Sequence, residues 1–216
     1  MRHPHFAPAA TFGILAATSA SAQIAYSGLL DLTISTNSAP TTLYFDLNQS
    51  SGTLAQNGAF AGADFQLGFQ TPSAEVAAKP TITPQSGDAQ VGTKTKPILT
   101  ETLVSANNLS SGSLVNSSGG FSGDTHIFQS PGWSSGVAGY LPLQLGSNYG
   151  WAGLTYTRTS DGSVYSLTLH DFAFASGGEQ ITAGQTTIPE PSTYAVLTGL
   201  LAGSAALYAR RRKRAA

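Results

Sequence analysis

Apolar side chains recur at every second position through much of this chain. That spacing commits it to half-buried strands, because successive strand residues point to opposite faces. Leu30, Leu32 and Ile34 alternate with Asp31 and Thr33, and Leu43, Phe45 and Leu47 share one face opposite Tyr44 and Asp46. Phe65, Leu67 and Phe69 repeat the pattern, as do Leu141, Leu143 and Leu145. Further strands are predicted over 126–129, 149–159 and 163–174, the last two joined by a Thr-Ser-Asp-Gly turn in which Gly162 supplies positive φ. Helical spacing is almost missing; short helical turns fit only 73–78 and 101–107. The stretch 72–97, with four prolines and three lysines, reads as a long exposed loop or a loosely paired edge. Many short strands separated by Ser, Gly and Asn clusters predict an all-β fold, an antiparallel β-sandwich of jelly-roll type.

Such a fold must hold without covalent staples, because the 216 residues include no cysteine. Disulfide scaffolds, thiolate catalysis and cysteine-based zinc sites are excluded with it. The near-neutral net charge of -1 hides a segregation. Between Gln23 and Glu190 four cations (Lys79, Lys94, Lys96 and Arg158) face 11 carboxylates, a formal charge of -7. A body of that sign does not favour phosphate backbones, so no nucleic-acid partner is expected.

The remaining cations stand at the two ends. Arg2 precedes a weakly apolar stretch and the small residues Ala20-Ser-Ala22, which fit a signal-peptidase site releasing a chain that begins at Gln23. The predicted divisions are therefore a signal peptide over 1–22, a body over 23–187 and a tail over 188–216. In the tail, 12 of the 16 residues from Tyr194 to Ala209 are apolar and none is charged. With its neighbours this makes a membrane helix over 193–209, roughly 24–27 Å long and just enough for a thin hydrocarbon core. The basic run Arg210, Arg211, Arg212, Lys213 and Arg214 follows at once, and the positive-inside bias would keep it cytoplasmic with the body outside. Pro189 and Pro191 hold the approach to that helix extended.

The order Pro189-Glu190-Pro191, a short apolar helix containing Gly199 and Gly203, and a terminal Arg cluster resembles the PEP-CTERM sorting signal. Members of that family are exported proteins of Gram-negative bacteria whose tail is processed by an exosortase, a membrane protease or transpeptidase. The resemblance implies transient anchoring in the inner membrane, removal or exchange of the tail, and delivery of the body to the outer surface or extracellular matrix, commonly alongside exopolysaccharide and biofilm formation. The four-residue spacing of Gly199 and Gly203 suits close helix approach, either to the processing enzyme or to a second copy. A second similarity lies within the body. Gly139-Tyr-Leu-Pro-Leu, Tyr149-Gly-Trp151, the strand 167–174 and a closing Gly177-Gly-Glu-Gln-Ile-Thr-Ala-Gly184 follow the order of a module found among such proteins, with Gly178 where proline is usual. That module brings no catalytic residues with it.

The body offers little overt chemistry. No nucleophile elbow, phosphate-binding glycine loop or His-Glu-x-x-His helix occurs, so no catalytic residue is assigned. Asp124 and His126 would share a strand face, and His170 and Asp171 would lie on opposite faces, but no third ligand sits at readable spacing and no metal site is assigned. Ca²⁺ is the one cofactor that an acidic exported domain would invite, at no residues the sequence singles out. Asp31 and Asp171 are an example of a carboxylate pair whose separation only a fold can set. Trp133, Tyr140, Tyr149 and Trp151 cluster within 19 residues and are candidate saccharide-stacking side chains, with core packing as the competing use.

The expected function is that of an exported, non-enzymatic surface or matrix protein associated with extracellular polysaccharide. Its partners would be the export machinery, signal peptidase and an exosortase. The alternative is a secreted carbohydrate-active hydrolase with the same tail. Replacing both Pro189 and Glu190 with Ala should leave the tail unprocessed. Intact-mass analysis would then find the tail retained in the membrane fraction, and an unchanged mature mass would refute the sorting assignment.

Overall fold

The computed structural model describes residues 23–48, 54–70, 78–98, 101–129 and 132–187. The predicted signal peptide and sorting tail, including Ala20, Ala22, Pro189, Glu190, Pro191, Gly199, Gly203 and the basic run, lie outside them. The described part is all-β and antiparallel, with no helix. In chain order its strands are β1 (Ile24–Tyr26), β2 (Leu32–Ser35), β3 (Leu43–Phe45), β4 (Leu54–Gln56) and β5 (Phe65–Phe69). Then come β6 (Pro80–Pro84), β7 (Ala89–Ile98), β8 (Glu101–Ala106), β9 (Leu114–Val115) and β10 (Phe121–Ser122). The chain continues with β11 (His126–Ile127), β12 (Ala138–Leu145), β13 (Asn148–Arg158), β14 (Tyr165–Ala175) and β15 (Ile181–Thr182).

The larger sheet runs β1-β14-β13-β12-β7-β10, with β2 also on β14 and β8 also on β7. The smaller runs β11-β6-β5-β3-β4, and β9 with β15 forms a separate ribbon. The period-two faces explain how they meet. Leu43, Phe45, Phe65, Leu67 and Ile82 of the smaller sheet share one core with Leu141, Leu143, Leu154, Leu167, Leu169 and Phe172 of the larger. Phe45 stacks on Phe65 within its own sheet (5.4 Å) and meets Phe172 across the gap (5.1 Å). The opposite face of the larger sheet carries a second core. Tyr149, Trp151, Ala173 and Ala175 pack there against Val115 and Ile181 of the ribbon.

Two sequence expectations are corrected. The stretch 72–97 contains β6, paired on both sides by β5 and β11, and most of β7, paired by β12, β10 and β8. Ile82 and Val91 are fully buried. Of the prolines that suggested a loop, Pro72 lies outside the described residues and Pro97 sits within β7; Pro80 and Pro84 bound β6, where a missing N–H is tolerated and the Pro80 carbonyl still accepts from Phe128 N–H. The stretch 101–107 is strand β8, not a helical turn, because register with Thr93–Ile98 supplies its backbone partners. The 159–162 hairpin turn forms as expected, with Gly162 at φ +72°.

Since the inter-sheet contact is aromatic and fully buried, Phe45→Ala should cost about 3–5 kcal/mol, as large-to-small core substitutions do. Urea unfolding would read this as a lower midpoint at unchanged slope.

Candidate functional sites

Strand β14 carries an irregularity that creates the first site. Its register with β13 shifts between Gly153 and Leu154, which pair with Asp171 and Leu169, so His170 is the extra residue. Buried positions change parity there: Leu167 and Leu169 face the main core before the bulge, and Phe172 and Phe174 after it. His170 and Asp171 thus leave on the same outer face, correcting the opposite-face expectation, which assumed an unbroken strand. The edge of the sheet opens around the bulge. Between β1 and β2 the chain lifts away at Gly28 (φ +75°) and Asp31 (φ +48°), and Leu30 N–H donates to the His170 carbonyl (2.7 Å).

A hydrogen-bonded chain results. Asp31 Oδ1 lies 2.7 Å from His170 Nδ1, and His170 Nε2 lies 2.7 Å from Thr155 Oγ1. An ionised Asp31 can only accept, so the proton sits on Nδ1, and in the neutral ring Nε2 accepts from the Thr155 hydroxyl. Beside this chain Tyr26 OH donates to Asp171 Oδ2 (3.0 Å). Burial, then the bond to Asp171, pushes the Tyr26 phenol up to about 12, and burial raises the Asp171 carboxyl. Ala138, Gly139, Tyr140, Gly153, His170 and Asp171 line a hollow of about 320 Å³ here. Gly153 leaves room for the Asp171 carboxyl, whose Oδ1 a β-carbon there would displace. The arrangement can orient an imidazole and pass a proton to or from a hydroxyl.

The second site opens where the two sheets end. A pocket of about 450 Å³ is floored by Phe128, Trp133, Tyr156 and Tyr165 and rimmed by Lys79, Gln129, Ser134, Ser135 and Arg158. Tyr156 and Tyr165 are stacked (6.1 Å, 21°), and the Arg158 guanidinium lies over Tyr165 at 5.5 Å. Gly162 leaves room for that guanidinium, since a β-carbon would collide with it. Lys79 Nζ donates to Gln129 Oε1 (3.1 Å).

The four aromatic residues singled out from the sequence do not form one platform. Trp133 is 2% exposed, packs edge-on to Phe128 (5.1 Å) and donates its indole N–H to the Ala106 carbonyl (3.1 Å). Trp151 is fully buried beneath Tyr140 (5.1 Å, 88°) and donates to the Gln185 carbonyl (3.2 Å). Tyr149 is buried in the same second core, and Tyr140 is half-buried beside it. Their ring faces serve packing, so the saccharide-stacking assignment is withdrawn for Trp133, Tyr149 and Trp151. Tyr140 retains an edge on the outer-face hollow.

Among the described residues no three His, Asp or Glu side chains come together as a metal site. His126 is buried with Nε2 unpartnered, its pKa lowered by desolvation, and exposed Asp124 instead accepts from Ser122 Oγ (2.9 Å). Two buried carboxyls, Asp46 and Asp64, are neighbours. Leu47 N–H donates to Asp64 (3.0 Å) and Asn48 N–H to Asp46 (3.1 Å). Burial first, and the neighbouring Asp46, push the Asp64 carboxyl up to about 6, against the opposing Leu47 bond.

Compared with known proteins, the chain matches no family model, no curated protein and no solved structure.

A carboxyl whose folded pKa lies above its unfolded value stabilises the fold below the unfolded pKa and loses that contribution as pH rises through the folded one. For Asp64 the loss falls between about pH 4 and pH 6. Asp64→Asn, which keeps an acceptor for Leu47 but cannot ionise, should therefore raise the urea midpoint relative to the parent at pH 8. The gain should shrink or reverse at pH 4.

Proposed function

We propose that this chain is an exported surface or matrix protein, delivered through its PEP-CTERM-like tail, whose body associates with extracellular polysaccharide without turning it over. The body is read as a β-sandwich of jelly-roll type, a reading supported by the single core that its two sheets share. The observation that carries the binding role is the pocket at the end of the sheets. It gathers amide, hydroxyl and cationic side chains over the edges of packed aromatic rings, a set of groups that can hydrogen-bond the hydroxyls of a sugar. A non-catalytic role fits the setting of Thr155, which is paired on both sides, with Ala138 and Thr168. Its hydroxyl is held by His170 Nε2 (2.7 Å) as part of the fold's own hydrogen-bonded chain.

The alternative, a carbohydrate-active hydrolase, draws support from the outer-face hollow, where Asp171 and the Asp31-bound His170 meet. The two readings separate experimentally. The matrix protein should co-fractionate with the producer's polysaccharide and leave its chain length unchanged. Progressive depolymerisation that disappears in Asp31→Asn or Asp171→Asn would instead establish the hydrolase.

A further inference from the structure

The four cations of the acidic body are not spread evenly. Lys94 and Lys96 lie together on β7, while Lys79 and Arg158, 79 residues apart in the sequence, converge on one pocket. Neither of these two has a carboxylate within ion-pair distance among the described residues. In a body over 23–187 with four cations and ten carboxylates, a formal charge of -6, two cations with no carboxylate partner among the described residues line one partly apolar pocket and make it a local positive site. The chain has 11 carboxylates, yet the one such pairing among the described residues lies elsewhere, between Asp31 and His170.

The local geometry keeps both cations available. Arg158 is anchored at the strand end by its backbone N–H, which donates to Ser135 Oγ (2.9 Å). Its guanidinium rests over Tyr165 with Gly162 beneath, a placement that leaves N–H donors at the edge of the plane. Lys79 donates to Gln129 and has two further N–H donors. Tyr156, Tyr165, Ser134 and Ser135 line the same pocket.

From this we infer that the pocket selects an anionic pyranose, one bearing a carboxylate or a sulfate ester. The charge is held by Lys79 and Arg158, and the ring hydroxyls meet the Gln129, Ser134 and Ser135 side chains that line the same pocket. The inference rests on the polysaccharide-binding reading above and names its ligand class. Because the body as a whole repels anions, this pocket would discriminate by local charge, and its affinity should fall as salt rises.

The test is calorimetric titration of the full-length chain in detergent with four probes of equal length: oligogalacturonate, its methyl ester, a neutral galactose oligomer and a sulfated galactose oligomer. Lys79→Gln and Arg158→Gln are titrated in parallel, with thermal unfolding to establish that each is folded. The expected result is binding of one or both anionic oligomers at least about tenfold tighter than the ester or neutral probe. Each substitution should lower that affinity about tenfold or more, as loss of a charged hydrogen bond does. Preference for galacturonate identifies a carboxylate ligand, and preference for the sulfated oligomer a sulfate ester. Equal binding of charged and neutral probes, no binding of any probe, or anion binding that survives both substitutions would overturn the inference. Co-fractionation with native polysaccharide is read separately: if the folded double variant still co-fractionates, the pocket assignment fails while the matrix role stands. If the parent chain does not co-fractionate, the matrix role fails.

Discussion

Strand β14 is the member on which the rest of the body depends, and one inserted residue defines it. An unbroken β14 would keep its odd-numbered side chains in the main core along its whole length, burying Ala173 and Ala175 there and turning Phe172 and Phe174 outward. The bulge at His170 reverses that parity, so Leu167 and Leu169 at one end and Phe172 and Phe174 at the other all enter the main core. The small residues Ala173 and Ala175 then lie under Trp151 and Tyr149 on the outer face, where space for a large indole is needed. The same reversal brings two polar side chains, His170 and Asp171, out together at the point where the parity changes. Packing and site are thus consequences of one register shift.

The bulge also explains the edge beside it. A straight partner strand could not follow β14 through an inserted residue, and the edge is divided into β1 and β2 with residues 27–31 lifting between them. Backbone groups at the break remain satisfied: Ser27 N–H donates to the Phe172 carbonyl, and Ser27 Oγ accepts from Phe172 N–H. Asp31, held at positive φ, turns its carboxylate back to His170. A non-glycine residue in that conformation carries a modest backbone cost, which the hydrogen bond to His170 offsets.

Strand identity was legible in the sequence wherever one face is apolar and the other polar, as in Leu43–Phe45, Phe65–Phe69 and Ala138–Leu145. It was obscured at β6 and β7, whose prolines and lysines mimic a loop although neighbouring strands pair them on both sides. The polar chain from Asp31 through His170 to Thr155 was not legible at all. Its first link spans 139 positions, and the bulge that aims His170 is a property of pairing with β13, not of the local sequence. The aromatic cluster at 133–151 was visible, but proximity in sequence does not tell a ligand platform from a core pillar. Burial decides that, and each tryptophan satisfies its indole N–H on a backbone carbonyl, the usual need of a buried ring with one polar atom.

In the absence of cysteine, two hydrophobic cores on opposite faces of one sheet carry the fold. This arrangement limits where function can reside. The faces of the larger sheet are largely occupied, inward by the second sheet and outward by the ribbon around Trp151. Two of the openings that remain are the bulge, where the outer face is uncovered beside Gly153, and the end of the sheets, where Lys79 and Arg158 line a pocket over the buried Tyr156 and Tyr165. The first gathers the acids and the imidazole, the second the unpaired cations. Charge segregation along the chain therefore continues in space within the body, and the two openings differ in the sign of ligand they can receive: protons and hydroxyl-bearing groups at the acidic bulge, anions at the cationic end.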